Sequence, residues 1–282
     1  MPSSAPPPSS SPSTANIINH LSQRSSSSNY SSSLTNKYYA LRHGQSLANI
    51  AKIISSDPAI STKQHGLSEL GKEQVRIAGE AFATDYMESI SNNNGDDTNQ
   101  GVAIFSSDFL RATETATIFA SILRKHDIPI YQNNIILETR LRERYFGELN
   151  GGPDTRYQEV WNEDVKDANH VKFGVESANS VLERTTRFIV ELEDRLSMTS
   201  SSSESNEQGG TETDQEGRCN RRPWMVILVA HGDVLQISQT GFLLHEDASR
   251  HRSLDHLETA TVRELTLHHE SVGVKWHAAT TS

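Results

Sequence analysis

Short runs of apolar residues are separated along the chain by longer segments in which apolar residues recur at helical spacing. The runs predict strands over residues 38–42, 102–106 and 224–230, and extended residues within 128–136. The helical spacing predicts helices over residues 67–87, 110–124 and 178–196, the first with Ser68 as its N-cap. One face of the third helix is expected to pack on the core, and it carries Val181, Thr185, Phe188, Ile189 and Leu192.

The predicted strands and helices alternate, which is typical of α/β proteins. Residues 262–267 and 272–276 alternate between apolar and polar positions like a hairpin at a sheet edge. The pattern therefore predicts a three-layer α/β/α sandwich, with a mostly parallel central sheet and helices on both faces.

Composition divides the chain into a tail and one domain. Residues 1–36 are rich in Ser, Pro and Asn and contain no acidic residue, so we expect a disordered tail. Residues 37–282 are expected to form a single domain, interrupted by low-complexity insertions near 90–100 and 198–222. Ser-rich tails without acidic residues also occur in organelle transit peptides, but those are Arg-rich, and Arg24 is almost alone here. We expect a cytoplasmic protein, with organelle targeting left open.

Charge and cysteine content limit the partners and the chemistry. The net charge of −10 over 282 residues argues against a nucleic-acid partner and against docking on anionic membranes. No apolar run is as long as a membrane span, so we expect a soluble protein without a membrane partner. Cys219 is the only cysteine, which excludes an intramolecular disulfide. Met225 lies six positions after Cys219, where a cysteine-based phosphatase loop would have an arginine. The sequence therefore disfavours such a loop.

The first predicted strand ends in Arg42 and His43. A strand end that leads into a loop and a helix places side chains where α/β folds bind anions. The pair suits covalent phosphoryl transfer, with His43 as nucleophile and Arg42 as phosphate clamp. Such chemistry needs further cations and a carboxylic acid that serves first as acid and then as base.

Arg42-His43-Gly44, with Ser46 and Asn49, resembles the signature of the histidine phosphatase superfamily, in the branch that includes phosphoglycerate mutases. Three further segments resemble elements of that family in the family's order. They are residues 106–116, 141–149 and 226–233. The resemblance implies a phosphoglycerate mutase-like fold.

The resemblance also implies a role for each site residue. The catalytic set is His43 as nucleophile, Arg42 and Arg111 as clamps, Glu143 as proton donor and His231 as a hydrogen-bond partner of the phosphoryl group. Phosphate binding is shared by Arg42, Asn49, Arg111, His231 and Gly232. One ring nitrogen of His43 attacks phosphorus, and the other is held as N–H by a backbone carbonyl. No metal and no cofactor are required.

Several of these residues have simpler interpretations. Arg111 could pair with Glu114, Glu143 could belong to a solvated charged run, and His231 could be a core histidine. Burial would raise the pKa of Glu143, whereas its flanking arginines would lower it. Glu176 could bind substrate hydroxyls or cap the following helix.

Basic residues elsewhere could line the entrance and favour a substrate with a second anionic group, or they could be solvated. They are Arg142, Arg144, Arg250, His251 and Arg252. The spacing of His245, His251 and His256 matches no helical metal-ligand pair, so no metal site is expected there.

The resemblance favours hydrolysis of a small phosphorylated metabolite through a phosphohistidine. The segment after Gly147 lacks the paired arginines of true mutases, and residues 174–177 resemble a Gly-x-Glu-Ser stretch of phosphatases in the branch. Asp233 stands where mutases usually have Asn. A phosphoglycerate mutase and an inactive phosphate-binding module are the alternatives, and the oligomeric state stays open.

Overall fold

The computed structural model describes residue 17 and residues 34–92, 100–198, 222–243 and 247–267. Most of the predicted tail and of both predicted insertions lies outside these residues, as does the second hairpin strand predicted over 272–276. The division into one domain with a tail and two insertions therefore stays a prediction.

The strands of the described residues form one sheet. They are β1 (Lys37–Arg42), β2 (Gly101–Ser106), β3 (Ile130–Leu137), β4 (Trp224–Ala230) and β5 (Val262–Leu265). Their order across the sheet is β3-β2-β4-β1-β5. The first four run parallel to their neighbours, and β5 joins β1 antiparallel at the edge. The predicted mostly parallel sheet is confirmed.

The α-helices of the described residues are α1 (Leu47–Ala51), α2 (Pro58–Ser61), α3 (Glu69–Asn92), α4 (Leu110–Lys125), α5 (Tyr157–Asp164), α6 (Ala178–Met198) and α7 (Gly232–Thr240). The three predicted helices correspond to α3, α4 and α6. The Ser68 hydroxyl accepts a hydrogen bond from the Gly71 N–H at 3.0 Å, which confirms the predicted N-cap. Within the described ranges, every helix is too short or too polar to cross a membrane.

Successive residues of the central strands point to opposite faces of the sheet. On β4, Val226 and Leu228 pack in one cluster with side chains of α6 and α7. Ile227 and Val229 pack in a second cluster with side chains of α3 and α4. Helices thus cover both faces, which confirms the three-layer α/β/α architecture.

The register brings the carboxyl ends of the three central strands to one edge. Arg42 of β1 lies opposite Ala230 of β4, and Ser106 of β2 lies opposite Val229. The residues that follow each strand therefore meet at the edge where open α/β sheets bind ligands.

Candidate active site

His43 is buried directly after β1, and its surroundings decide its tautomer. Its Nδ1 lies 2.7 Å from the Gly44 carbonyl oxygen. Because a carbonyl can only accept a hydrogen bond, Nδ1 carries the proton and Nε2 keeps its lone pair. Burial lowers the pKa of His43 well below its usual value, and the positive charges of Arg111 and Arg42 lower it further. The imidazole is therefore neutral, and its Nε2 is the unprotonated nitrogen that can act as a nucleophile.

Arg111 approaches the free nitrogen of His43 from α4. Its Nε donates to His43 Nε2 at 3.1 Å, and its Nη2 donates to the Ser55 carbonyl at 2.9 Å. Glu114 instead accepts from the Leu67 N–H at 2.5 Å, so the alternative pairing of Arg111 with Glu114 is wrong.

Arg42 lies beside the same ring. Its Nη1 donates to the Leu257 carbonyl at 2.8 Å and to His256 Nε2 at 3.0 Å. Among the buried side-chain nitrogens that have no hydrogen-bond partner in the described residues are Arg42 Nε, Arg111 Nη1 and His231 Nδ1. Unpaired buried donors are costly, so this group of nitrogens suits a site that receives an anion.

His231 follows β4 and is the N-cap of α7. Its ring centroid lies 5.2 Å from that of His43, and its Nε2 lies 2.9 Å from the Ser107 hydroxyl. Burial lowers its pKa well below the usual value, and nearby Arg111 adds to the effect. His231 thus lies next to the predicted nucleophile, as expected. Its ring is also fully buried, which the alternative of a core histidine required as well.

Glu143 is a buried acid rather than a member of a solvated charged run. Its Oε1 accepts hydrogen bonds from the N–H groups of Arg144 at 2.9 Å and Val234 at 3.2 Å. Burial, followed by the negative charge of Asp233, raises the pKa of Glu143 to about 6, although Arg111 and these two hydrogen bonds oppose the shift. An acid with this pKa can both give and take a proton near neutral pH.

Gly232 and Asn49 complete the predicted phosphate-binding set. A Cβ atom on Gly232 would lie 3.2 Å from the Arg42 guanidinium carbon, so the glycine makes room for the clamp at the first turn of α7. The Asn49 Oδ1 accepts from the N–H and hydroxyl of Ser46 in a capping box at the start of α1. Only the NH₂ group of that amide is left to donate to a ligand.

A cavity of about 310 Å³ joins these groups. Its lining includes Arg42, His43, Asn49, Arg111, Glu143 and Gly232 from the predicted set, but not His231. It also includes residues for which sequence analysis predicted no role in the site, namely Tyr157, Trp161, Asp154 and His256. They lie on or just before the short helix α5 or in the segment before β5, and no motif marks either segment.

The structure separates the basic residues that the sequence grouped at the entrance. Arg252 lines the cavity. Arg144 and His251 are fully buried, so the prediction that they line the entrance is wrong. Arg144 instead binds Asp164 through both of its terminal nitrogens, at 2.7 and 2.8 Å. Arg142 pairs with Asp108, and Arg250 is exposed away from the lining.

Two further alternatives can be compared with the contacts. Glu176 pairs with Arg184 at 2.8 Å, while the Ser177 hydroxyl accepts from the Ser180 N–H at the start of α6. Ser177, rather than Glu176, therefore caps that helix. In the described residues no group of His, Cys, Asp or Glu side chains is arranged to hold a metal ion, and His245 lies outside them.

The solved structures that this chain resembles share its fold. A mycobacterial glucosyl-3-phosphoglycerate phosphatase is 23% identical, with a TM-score of 0.55 over 82% of this chain and 90% of that one. A protein described as mycobacterial hydrolase 1 is 24% identical, with a TM-score of 0.54 over 82% and 88%. The YhfR protein of Bacillus stearothermophilus is 20% identical, with a TM-score of 0.53 over 87% and 96%.

Sequence comparison gives the family. No curated protein matches the chain significantly. The family model of the histidine phosphatase superfamily (branch 1) matches residues 38–200, which is more than half of the chain. The matched part contains His43, Arg111 and Glu143, which the fold brings to one cavity. The chain therefore belongs to branch 1 of the histidine phosphatase superfamily.

Proposed function

We propose that this chain is a phosphomonoester hydrolase that acts on a small phosphorylated metabolite through a phosphohistidine at His43. One observation carries the proposal. His43 is held by Gly44 in the tautomer that leaves Nε2 unprotonated, and that nitrogen faces the guanidinium of Arg111 in a cavity that Arg42 also lines. A neutral nucleophile between two fixed cations is suited to attack on a phosphate dianion.

In the first step Nε2 of His43 forms a bond to phosphorus while the bond from phosphorus to the leaving oxygen breaks. Glu143 gives its proton to that oxygen, so the leaving group departs as an alcohol. The guanidinium groups of Arg42 and Arg111 stabilise the charge on the equatorial oxygens. The N–H groups at the first turn of α7 add positive electrostatic potential at the same place.

In the second step the Glu143 carboxylate takes a proton from a water molecule. The water oxygen bonds to phosphorus, the bond from Nε2 to phosphorus breaks, and inorganic phosphate leaves. The raised pKa of Glu143, about 6, supports both roles, because an acid with this pKa is present in both forms near neutral pH.

Two observations favour hydrolysis over the interconversion of phosphoglycerates that a mutase catalyses. The segment after Gly147 contributes Asp154, Tyr157 and Trp161 to the cavity lining rather than paired arginines. One protein of similar structure is a glucosyl-3-phosphoglycerate phosphatase. An inactive binding module is disfavoured because the acid, the nucleophile and both clamps stand around one cavity.

The test is release of inorganic phosphate from an aryl phosphate and from a panel of small phosphorylated metabolites. We expect turnover by the wild-type protein and none by H43A. In rapid-quench experiments under alkaline conditions, which preserve phosphohistidine, a labelled adduct should form on His43. Turnover without any adduct would contradict the covalent mechanism, and conversion of 3- to 2-phosphoglycerate with a bisphosphate primer would identify a mutase.

R42A and R111A should each lower kcat/KM by at least about a hundredfold, the usual size of such electrostatic contributions. R124A is the matched control, because Arg124 is exposed on the same helix as Arg111. A loss of only twofold at Arg42 or Arg111 would contradict the clamp assignment.

A further inference from the structure

One part of the cavity lining is a stack of side chains that has no part in the proposed chemistry. The Tyr157 ring meets the Phe146 ring edge-on at 4.7 Å and stacks on Trp161 at 5.5 Å, with only 8° between the planes. The guanidinium carbon of Arg252 lies 3.9 Å from the centre of the Trp161 ring. The Trp161 Nε1 donates to Asp233 at 2.8 Å, so the stack is fixed to the start of α7.

Arg252 is held by this stack rather than by a carboxylate. Within the described residues, no acid lies at ion-pair distance from its guanidinium, whose contact is the indole face. Arg142, Arg144 and Arg184 by contrast each pair with an acid. Arg252 therefore offers its charge and its N–H donors to the cavity.

The positive charge of Arg252 affects the pKa of Arg42, the phosphate clamp beside His43. Burial lowers the pKa of Arg42, and Arg252 is among the charges that lower it further, whereas Glu143 and Glu258 oppose the shift. Burial also lowers the pKa of His256, and the charges of Arg42 and Arg252 lower it further. Glu258 is exposed and forms no ion pair with either arginine in the described residues. Arg42 and Arg252, neither of which pairs with an acid in the described residues, thus line the same cavity as Arg111, and this arrangement attracts a ligand with two anionic groups.

The remaining residues of the cavity lining suit the part of such a ligand that lies between its two anionic groups. The half-buried Tyr157 and Trp161 rings present an apolar surface, and Asp154 adds a carboxylate from the loop that hydrogen-bonds to Lys52. Apolar surface packs against C–H groups, and a carboxylate accepts from hydroxyls. A cavity of about 310 Å³ is large enough to hold a small metabolite.

We propose that Arg252, fixed on Trp161, forms a second anion subsite, and that the substrate is a phosphomonoester whose small hydroxylated leaving group carries a carboxylate or a second phosphate. This inference rests on the proposed function, since the first phosphate is placed at His43. It selects Arg252 as the specificity-determining cation among the basic residues considered for the entrance.

Matched substrate pairs test the subsite and distinguish its two anion types. The carboxylate pair is 3-phosphoglycerate and glycerol 3-phosphate, and the phosphate pair is fructose 1,6-bisphosphate and fructose 6-phosphate. In at least one pair the wild-type protein should prefer the member with the second anionic group by about tenfold in kcat/KM, the effect expected of one charge-assisted hydrogen bond. The pair that shows the preference identifies the anion.

R252Q should abolish that preference through KM, while changing kcat/KM less than twofold for the member that has one phosphate and no second anionic group. R250Q is the matched control, because it removes the same charge from an exposed position on the same turn, Ala248–Ser253, and it should keep the preference. The inference is overturned if the wild-type protein prefers neither anion, or if R252Q weakens both members of each pair equally.

Binding separates a failure of this inference from a failure of the proposed function. The four compounds are titrated calorimetrically into H43N and into H43N/R252Q. Suppose that the wild-type protein turns over none of the compounds, but that the second anionic group still strengthens binding to H43N and not to H43N/R252Q. The subsite then stands, and the hydrolase proposal fails. Equal affinities for both members of each pair would remove the subsite.

Discussion

At the scale of single residues, the environment of Glu143 shows why neighbours in sequence are poor guides to charge. Its flanking arginines point elsewhere, Arg142 to Asp108 and Arg144 to Asp164. Burial raises its pKa most, and the charge that adds to this effect belongs to Asp233, far along the chain. The acid strength of the proton donor is thus set by the fold.

We expect D233N to move the pH dependence of phosphorylation. A nearby negative charge favours the protonated form of Glu143, so its removal lowers the pKa of Glu143. Because Glu143 must be protonated to act as the acid, the decline of kcat/KM with rising pH should shift to lower pH by about half a unit to one unit. At neutral pH, kcat/KM should fall by about three- to tenfold.

The pH profile of D154N supplies the comparison. Asp154 lines the same cavity but is not among the charges that set the pKa of Glu143. The amide oxygen of D233N can still accept the hydrogen bond of Trp161, so the aromatic stack should persist. An unchanged profile in D233N, or an equal shift in D154N, would show that Asp233 does not tune the acid.

The sequence predicted the site residues that lie at strand ends or, like Glu143, in the segment that follows a strand. Arg42, His43 and Glu143 line one cavity, because short motifs fix such residues to the sheet edge. It could not predict Tyr157, and it named Arg252 only as one of five basic residues that could line the entrance. Their positions depend on packing between segments that carry no recognisable motif and that are separated by much of the chain.

At the scale of elements, β1 and its following loop are placed by close backbone packing against α3. A Cβ atom on Gly44 would lie 2.4 Å from the Gly71 carbonyl oxygen, and one on Gly71 would lie 2.0 Å from the Gln45 carbonyl oxygen. The loop that carries His43 can therefore lie against the first turn of α3 only because both residues are glycine.

G44A should destabilise the fold and displace the nucleophile. The added methyl group meets backbone rather than a movable side chain, so we expect a loss of about 1–3 kcal/mol in the free energy of unfolding and a fall in kcat. Urea denaturation measures the first and aryl phosphate hydrolysis the second.

G79A is the matched control for G44A. A Cβ atom on Gly79 of α3 would meet the end of the Ile122 side chain at 2.8 Å, which can move aside. Alanine also favours the helix, so stability should change little. If G44A were as stable and as active as G79A, close packing would not be what positions His43.

The elements found from sequence are those long enough to show a period. The helices α3, α4 and α6 and the strands β1, β2 and β4 match their predictions, with ends that differ by a few residues, and β3 covers most of the extended residues predicted within 128–136. The helix α5 has only 8 residues, too few for a clear pattern. The helix α7 is buried on all sides, so it has no polar face to reveal its period.

At the scale of the whole molecule, Arg144 joins parts of the chain that surround the cavity. It is fully buried and binds Asp164 of α5, Asp233 of α7 and the Glu176 carbonyl. Asp164 in turn accepts from His170 at 2.8 Å and lies 3.2 Å from His251 Nε2. The same charged cluster thus holds the helix bearing the aromatic stack against the helix whose N-terminus faces the phosphate site.

We expect R144M to destabilise the protein by about 3–5 kcal/mol, because it leaves buried carboxylates without their counter-charge. The double variant R144M/D164N should lose less than R144M alone, since one of the uncompensated charges is then removed. R140Q is the surface control, because Arg140 pairs with the partly exposed Glu138 and Glu191, and it should cost at most about 1 kcal/mol. Chemical denaturation of the four proteins measures these differences. If R144M were as stable as R140Q, or if D164N increased the loss of stability, the buried pair would not be what holds α5 against α7. The fixed geometry assumed for the Arg252 subsite would then need another support.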